Sequence, residues 1–85
     1  MTDDEFDLLD ELYFVHPYEY LKATLGWEDE RLKCTLESLY QKSFIKCLAE
    51  PDHEIFEVKN LKHEAEQMYF LATKKGLMAH NGRYY

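Results

Sequence analysis

The stretch Leu21-Lys22-Ala23-Thr24-Leu25-Gly26-Trp27-Glu28-Asp29-Glu30-Arg31-Leu32-Lys33-Cys34-Thr35-Leu36-Glu37-Ser38-Leu39-Tyr40-Gln41-Lys42-Ser43-Phe44-Ile45 decides how this 85-residue chain folds. Leu21 and Leu25, four apart, give one face of a short helix, and Gly26 follows where a helix end needs a residue tolerant of left-handed dihedrals. Leu32, Leu36 and Leu39 then recur at intervals of four and three, the apolar stripe of a second amphipathic helix. Trp27 falls in the connection, where a large apolar ring can wedge between the helices and fix their crossing angle. After Ser43, at the helix-stop position, the pattern turns to the β-prone pair Phe44-Ile45. The segment reads as helix, tight turn, helix, strand.

Working outward, Thr2, Asp3 and Asp4 offer an N-cap with acids in the first turn. Phe6, Leu8, Leu9, Leu12 and Tyr13 supply the apolar face of a first helix, which should end near Val15 or His16. Pro17 suits the first position of the next helix, where its missing amide donor costs nothing. Helix two is therefore expected over about residues 17–25, and helix three from 28 or 29 to 42. Residues 44–49 and 68–72 read as two short strands that together look like an antiparallel wing hairpin. Between them Pro51-Asp52 marks a turn, Ile55-Phe56-Glu57-Val58 can extend the first strand's pairing, and residues 61–67 have helical propensity without a strong stripe. Thr73 can cap a short final helix through Leu77, Met78 and His80, ended by Asn81-Gly82.

With this turn, this leucine stripe and this strand start, the sequence resembles the winged-helix (winged helix-turn-helix) family, of the bacterial transcriptional-regulator type. Phe70-Leu71-Ala72-Thr73-Lys74-Lys75-Gly76 is similar to the aromatic-x-Leu-Thr-x-Lys-Gly run that closes many such domains, with Ala72 in place of the usual Leu. Ser43 stands where the family usually shows glycine. The resemblance covers nearly the whole chain. It implies an α+β, mostly α fold: a three-helix winged helix-turn-helix core, a two-stranded β-wing and a short C-terminal helix, in a single domain over residues 1–85. It rests on hydrophobic spacing and carries no catalytic signature, so it speaks to fold more than to function.

A single domain of this size buries about 60–65% of its unfolded surface. With 46% hydrophobic and 15% aromatic residues, the chain has enough apolar material to fold alone and to leave some exposed as an interface. Seven tyrosines suit surfaces that are part buried and part wet. Tyr13, Tyr40 and Tyr69 read as core-edge residues, and Tyr18, Tyr84 and Tyr85 as the aromatic interface candidates. No apolar run approaches the roughly 18 residues of a membrane span. The first ten residues carry five acids and no base, the opposite of a secretory signal's start, so a cytoplasmic location with reduced Cys34 and Cys47 is expected.

Charge bears on function more sharply than motif does. The resemblance implies a third helix whose exposed residues meet base edges while the wing touches phosphates. With the leucine stripe turned inward, Asp29, Glu30, Lys33, Cys34, Glu37 and Gln41 face outward and Arg31 lies at the margin. Glu28, Asp29 and Glu30 put three carboxylates at the end that would enter the groove. Acids there also stabilise the helix dipole, so the helix alone explains them. Residues 49–67 hold six acids against Lys59 and Lys62, a balance of −4. The chain as a whole is at −7, and a wing of that sign is repelled by a DNA backbone. The charge is uneven: residues 1–30 hold ten acids and one lysine, residues 31–85 seven acids and nine bases. A modest basic patch from Arg31, Lys33, Lys42, Lys74, Lys75 and Arg83 keeps DNA binding as the alternative. The expected function is a non-catalytic regulatory module acting through protein–protein contact. Its candidate contacts are Asp29, Glu30, Arg31, Lys33, Glu37, Gln41, Lys74 and Lys75.

His16, His53, His63 and His80 form no local motif with Ser, Cys or acid, so no enzyme is expected, and each reads as a turn or surface residue. The spacings of Cys34, Cys47, His53 and His63 match no common zinc pattern; no metal and no cofactor are implied. Cys34, among acids, reads as an inert surface thiol rather than a redox sensor. A self-associated form would be built from helix one or from the C-terminal aromatics, with Tyr84 and Tyr85 packing across a two-fold axis.

Overall fold

A computed structural model gives the structure of the chain and describes residues 1–82. The first helix, α1 (Asp3–Glu11), begins where a capping box closes: Thr2 Oγ1 accepts from the Glu5 amide at 3.1 Å, and Glu5 Oε1 accepts from the Thr2 amide at 2.8 Å. It ends at Glu11, before the Val15 or His16 that the apolar pattern predicts. The Leu12 carbonyl accepts the Ala72 amide at 2.9 Å, which commits the chain to the sheet. The residue before a proline favours extended backbone, and His16–Pro17 accordingly form a short strand, β1. Pro17 is thus the N-cap of α2 (Tyr18–Leu25) rather than its first residue.

Gly26 closes α2 in the left-handed conformation, with φ 70°. Trp27 then turns into the core ahead of α3 (Asp29–Gln41). The end of α3 is a Schellman motif built on serine: Ser43 has φ 63°, the Phe44 amide reaches the Leu39 carbonyl at 2.9 Å, and the Ser43 amide reaches that of Tyr40 at 3.0 Å. The strands β2 (Ile45–Glu50) and β3 (His53–Ile55) form a hairpin across Pro51-Asp52. A short helix α4 (Leu61–Glu64) and a 3-10 turn (Ala65–Gln67) precede β4 (Tyr69–Ala72). The last element, α5 (Lys74–Gly82), is capped by Thr73, whose Oγ1 accepts from the Gly76 amide at 3.0 Å and donates to the Ser43 carbonyl at 2.7 Å.

The four strands make one antiparallel sheet in the order β1-β4-β2-β3. The expected two-stranded wing is corrected by this sheet. Residues of the two foreseen strands do pair, Ile45 with Ala72 and Cys47 with Phe70, but β2 turns back through β3, and β4 arrives from a later segment. Alternation places Ile45, Cys47, Phe70 and Ala72 on the buried face. There they meet Leu8, Leu9 and Leu12 of α1, Leu21 of α2, Trp27, and Leu32, Leu36 and Leu39 of α3; Leu25 packs at the margin. Over the described residues the result is an α+β domain of five α-helices and a four-stranded antiparallel sheet. No helix among the described residues is long and apolar enough to cross a membrane.

A carboxylate lies inside this core. Glu5 is 1% exposed, and its carboxylate accepts from Ser38 Oγ at 2.8 Å and from Lys42 Nζ at 2.7 and 2.9 Å. Burial pushes its pKa up, but the hydrogen bonds from Lys42, the Thr2 amide and Ser38 outweigh it and bring the group from 4.5 down to about 2. The start of α1 is thereby locked to the end of α3.

Candidate interaction surface

Four of the outward residues of α3, Asp29, Glu30, Arg31 and Lys33, are engaged with the rest of the domain. Asp29 accepts from the Tyr18 hydroxyl at 2.6 Å and pairs with Lys22 at 2.9 Å; the Tyr18 contact does most to hold its carboxyl below the usual range. Glu30 accepts from the Cys34 thiol at 3.2 Å and faces Lys62 of α4 at 3.7 Å. Arg31 donates through Nε and Nη2 to Asp4 of α1, at 3.0 and 2.7 Å, and its guanidinium lies 4.3 Å from the centroid of the Trp27 ring. On the other flank Lys33 donates to Glu66 at 2.5 Å. The hydrogen bonds raise the pKa of both bases, Arg31 through Asp4 and Lys33 through Glu66. Glu37 is half-buried, and Gln41 lies exposed at the C-terminal end of the helix.

Two elements therefore flank α3, α1 through Asp4 and the α4 region through Lys62 and Glu66. Lys42 with Glu5 and Lys46 with Glu54 extend the pairing, so Lys22, Arg31, Lys33, Lys42, Lys46 and Lys62 all sit beside a carboxylate. Lys59, Lys74 and Lys75 are exposed and have no ion pair among the described residues. Lys74 and Lys75 open α5, with the Lys75 Nζ 5.6 Å from the Phe44 ring. They belong to a different element from the α3 contacts.

The aromatic candidates fare differently. Tyr18 is not a surface residue: it is 2% exposed in the core, and burial, with Asp29 beside it, pushes its hydroxyl pKa up. Tyr84 and Tyr85 lie outside the described residues. The exposed rings are instead Phe14, 76% accessible, with Tyr13 and Tyr20 each a little over a third exposed. His16 stacks on Tyr20 with centroids 3.8 Å apart and 14° between the planes. Sequence pattern assigned Tyr13 to the first helix and left Phe14 and Tyr20 unremarked; the early end of α1 is what turns Phe14 outward. Phe56, at 86%, and Met78 are exposed elsewhere.

His80 also departs from its surface assignment. It is buried, stacked on Phe6 at 4.1 Å, with Nδ1 2.7 Å from the Tyr13 hydroxyl, and so helps dock α5 on α1. Cys34 is exposed, whereas Cys47 is buried on the core face of β2, and burial pushes its thiol up to about 12. With His53 on β3 and His63 on α4, the four candidate ligands considered lie on four elements, and no group of three or more His, Cys, Asp or Glu residues that could hold a metal ion gathers among the described residues.

No protein-family model, curated protein or solved structure matches this chain.

Proposed function

We propose that this chain is a non-catalytic, cytoplasmic regulatory module of winged-helix type that works by contacting protein rather than by reading DNA. The winged-helix reading is supported by α2 and α3 joined through the turn at Gly26 and Trp27, followed by the β2–β3 hairpin with β4 beside β2. The observation that carries the functional reading is the pairing of both bases of α3, Arg31 with Asp4 and Lys33 with Glu66, on a chain of net charge −7. A phosphate backbone is bound by uncompensated cations that release its counterions; these two cations already face carboxylates. Selection from a random duplex pool tests the reading. No enrichment is expected, and a recovered consensus sequence would contradict it.

The second reading, a DNA-binding transcriptional regulator, draws on Lys74 and Lys75, exposed together at the start of α5. In that case Lys74→Ala and Lys75→Ala together abolish binding to the recovered sequence.

A further inference from the structure

We infer that the aromatic, acid-edged face made by the end of α1, β1 and α2 is the docking site for a basic segment of another protein, anchored by apolar side chains. The inference rests on the protein-contact reading above and adds the surface and the chemistry of the partner.

The face has three parts. Phe14 stands almost free of the fold, and two residues along the chain His16 lies flat on Tyr20, so the rings offer contact area with few torsions to freeze. Behind them Glu19 borders two hollows, one over Ala23, Gly26 and Trp27 and the other over Pro17, Met68 and Tyr69. The first hollow is mostly apolar, with Glu19 and Lys22 at its rim, and the second mixes Pro17, Met68 and Tyr69 with Glu19, Glu66 and Gln67. The third part is charge: Glu11 and Glu19 have no cation partner among the described residues, whereas Lys22, the one base in residues 1–30, is held on Asp29.

That combination selects the occupant. Arg or Lys heads meet Glu11 and Glu19, a guanidinium can stack on the Tyr20 and Phe14 faces, and aliphatic side chains fill the hollows. Nucleic acid is disfavoured where the charges left unpaired, those of Glu11 and Glu19, are negative. Strand addition at β1 is blunted because Pro17 has no N–H to donate. A second copy is a poor complement, since six of its cations already hold their own carboxylates. Docking Lys74 and Lys75 of one copy on the acids of the next would be head-to-tail, an arrangement that need not close.

The test is an NMR titration of the isotope-labelled full chain with a short synthetic Arg/Leu peptide, and in parallel with a Glu/Leu peptide. The Arg/Leu peptide alone should shift resonances of residues 13–24, and binding should weaken between about 50 and 300 mM salt. Phe14→Ser with Tyr20→Ser, or Glu19→Lys alone, should lower the affinity about tenfold or more while leaving the melting curve in place. Shifts centred on residues 50–57, equal binding of the Glu/Leu peptide, or no binding would overturn the inference. A dimer in sedimentation that the double variant abolishes would also overturn it, by making a second copy the occupant. Those results leave the protein-contact reading standing; sequence-selective DNA binding would end that reading whatever the peptides do.

Discussion

Lys42 Nζ lies 2.7 Å from Glu5 Oε2, so the residue after α3 holds a carboxylate that also caps α1. Losing that charge affects two helices at once. The folded-state pKa of Glu5 is depressed from 4.5 to about 2, so its stabilising contribution is present above the unfolded value and is lost as pH falls through the folded one. A shift of that size corresponds to about 3 kcal/mol. Thermal unfolding followed from pH 6 down to about 2 should show this loss, and Glu5→Gln should flatten that part of the profile. A Glu5→Gln variant with the parent's acid profile would show that other carboxylates govern it.

Ser43 holds a left-handed φ of 63° while both Schellman hydrogen bonds form around it. A non-glycine residue there costs about 1–2 kcal/mol, partly offset by glycine's larger unfolded-state entropy. Ser43→Gly should therefore raise the melting temperature by about 4 °C, on the order of 1 kcal/mol for a domain of this length. An unchanged or lower temperature would mean that the strain is relieved by contacts not yet recognised.

Gly76 behaves in the opposite way. A Cβ built there would sit 2.1 Å from the Phe44 carbonyl oxygen, a backbone atom at the start of the sheet. Gly76→Ala must push α5 away from Phe44, loosening the Thr73 contacts to Ser43 and Gly76. A loss of about 2 kcal/mol or more is expected in chemical denaturation, and a neutral result would show that α5 slides freely.

Much of this architecture was legible in the sequence because it is written in local signals. The leucine stripe of α3, the Gly26 turn, the Thr2 cap and the Thr73 cap are each set by residues a few positions apart, and each occurs where the pattern placed it. Long-range partners were not legible. The Leu12 carbonyl meets Ala72, sixty residues on, and that contact ends α1 early, creates β1 and exposes Phe14. Tyr18 looked like a surface tyrosine because Asp29, its hydroxyl partner, is on another helix. Glu5 went unremarked, although its place three residues after Thr2 fits a capping box, and nothing local announces Ser38 and Lys42 as its partners. The pre-proline position of His16 was the one available hint of β1. The charge asymmetry was fully readable; that Arg31 and Lys33 spend their charge inside the domain was not.

The central claim is that intramolecular pairing keeps α3 from serving DNA, and duplex binding by fluorescence anisotropy tests it most directly. The comparison is the parent chain against the double variant Asp4→Asn, Glu66→Gln, which releases Arg31 and Lys33. At about 100–200 mM salt the parent should bind no tighter than the ordinary non-specific range of about 10⁻⁴ to 10⁻⁶ M, and the variant should bind more tightly with a steeper salt dependence. Sequence-selective binding by the parent in the range of about 10⁻⁸ M or below, or a variant indistinguishable from it, would contradict the account.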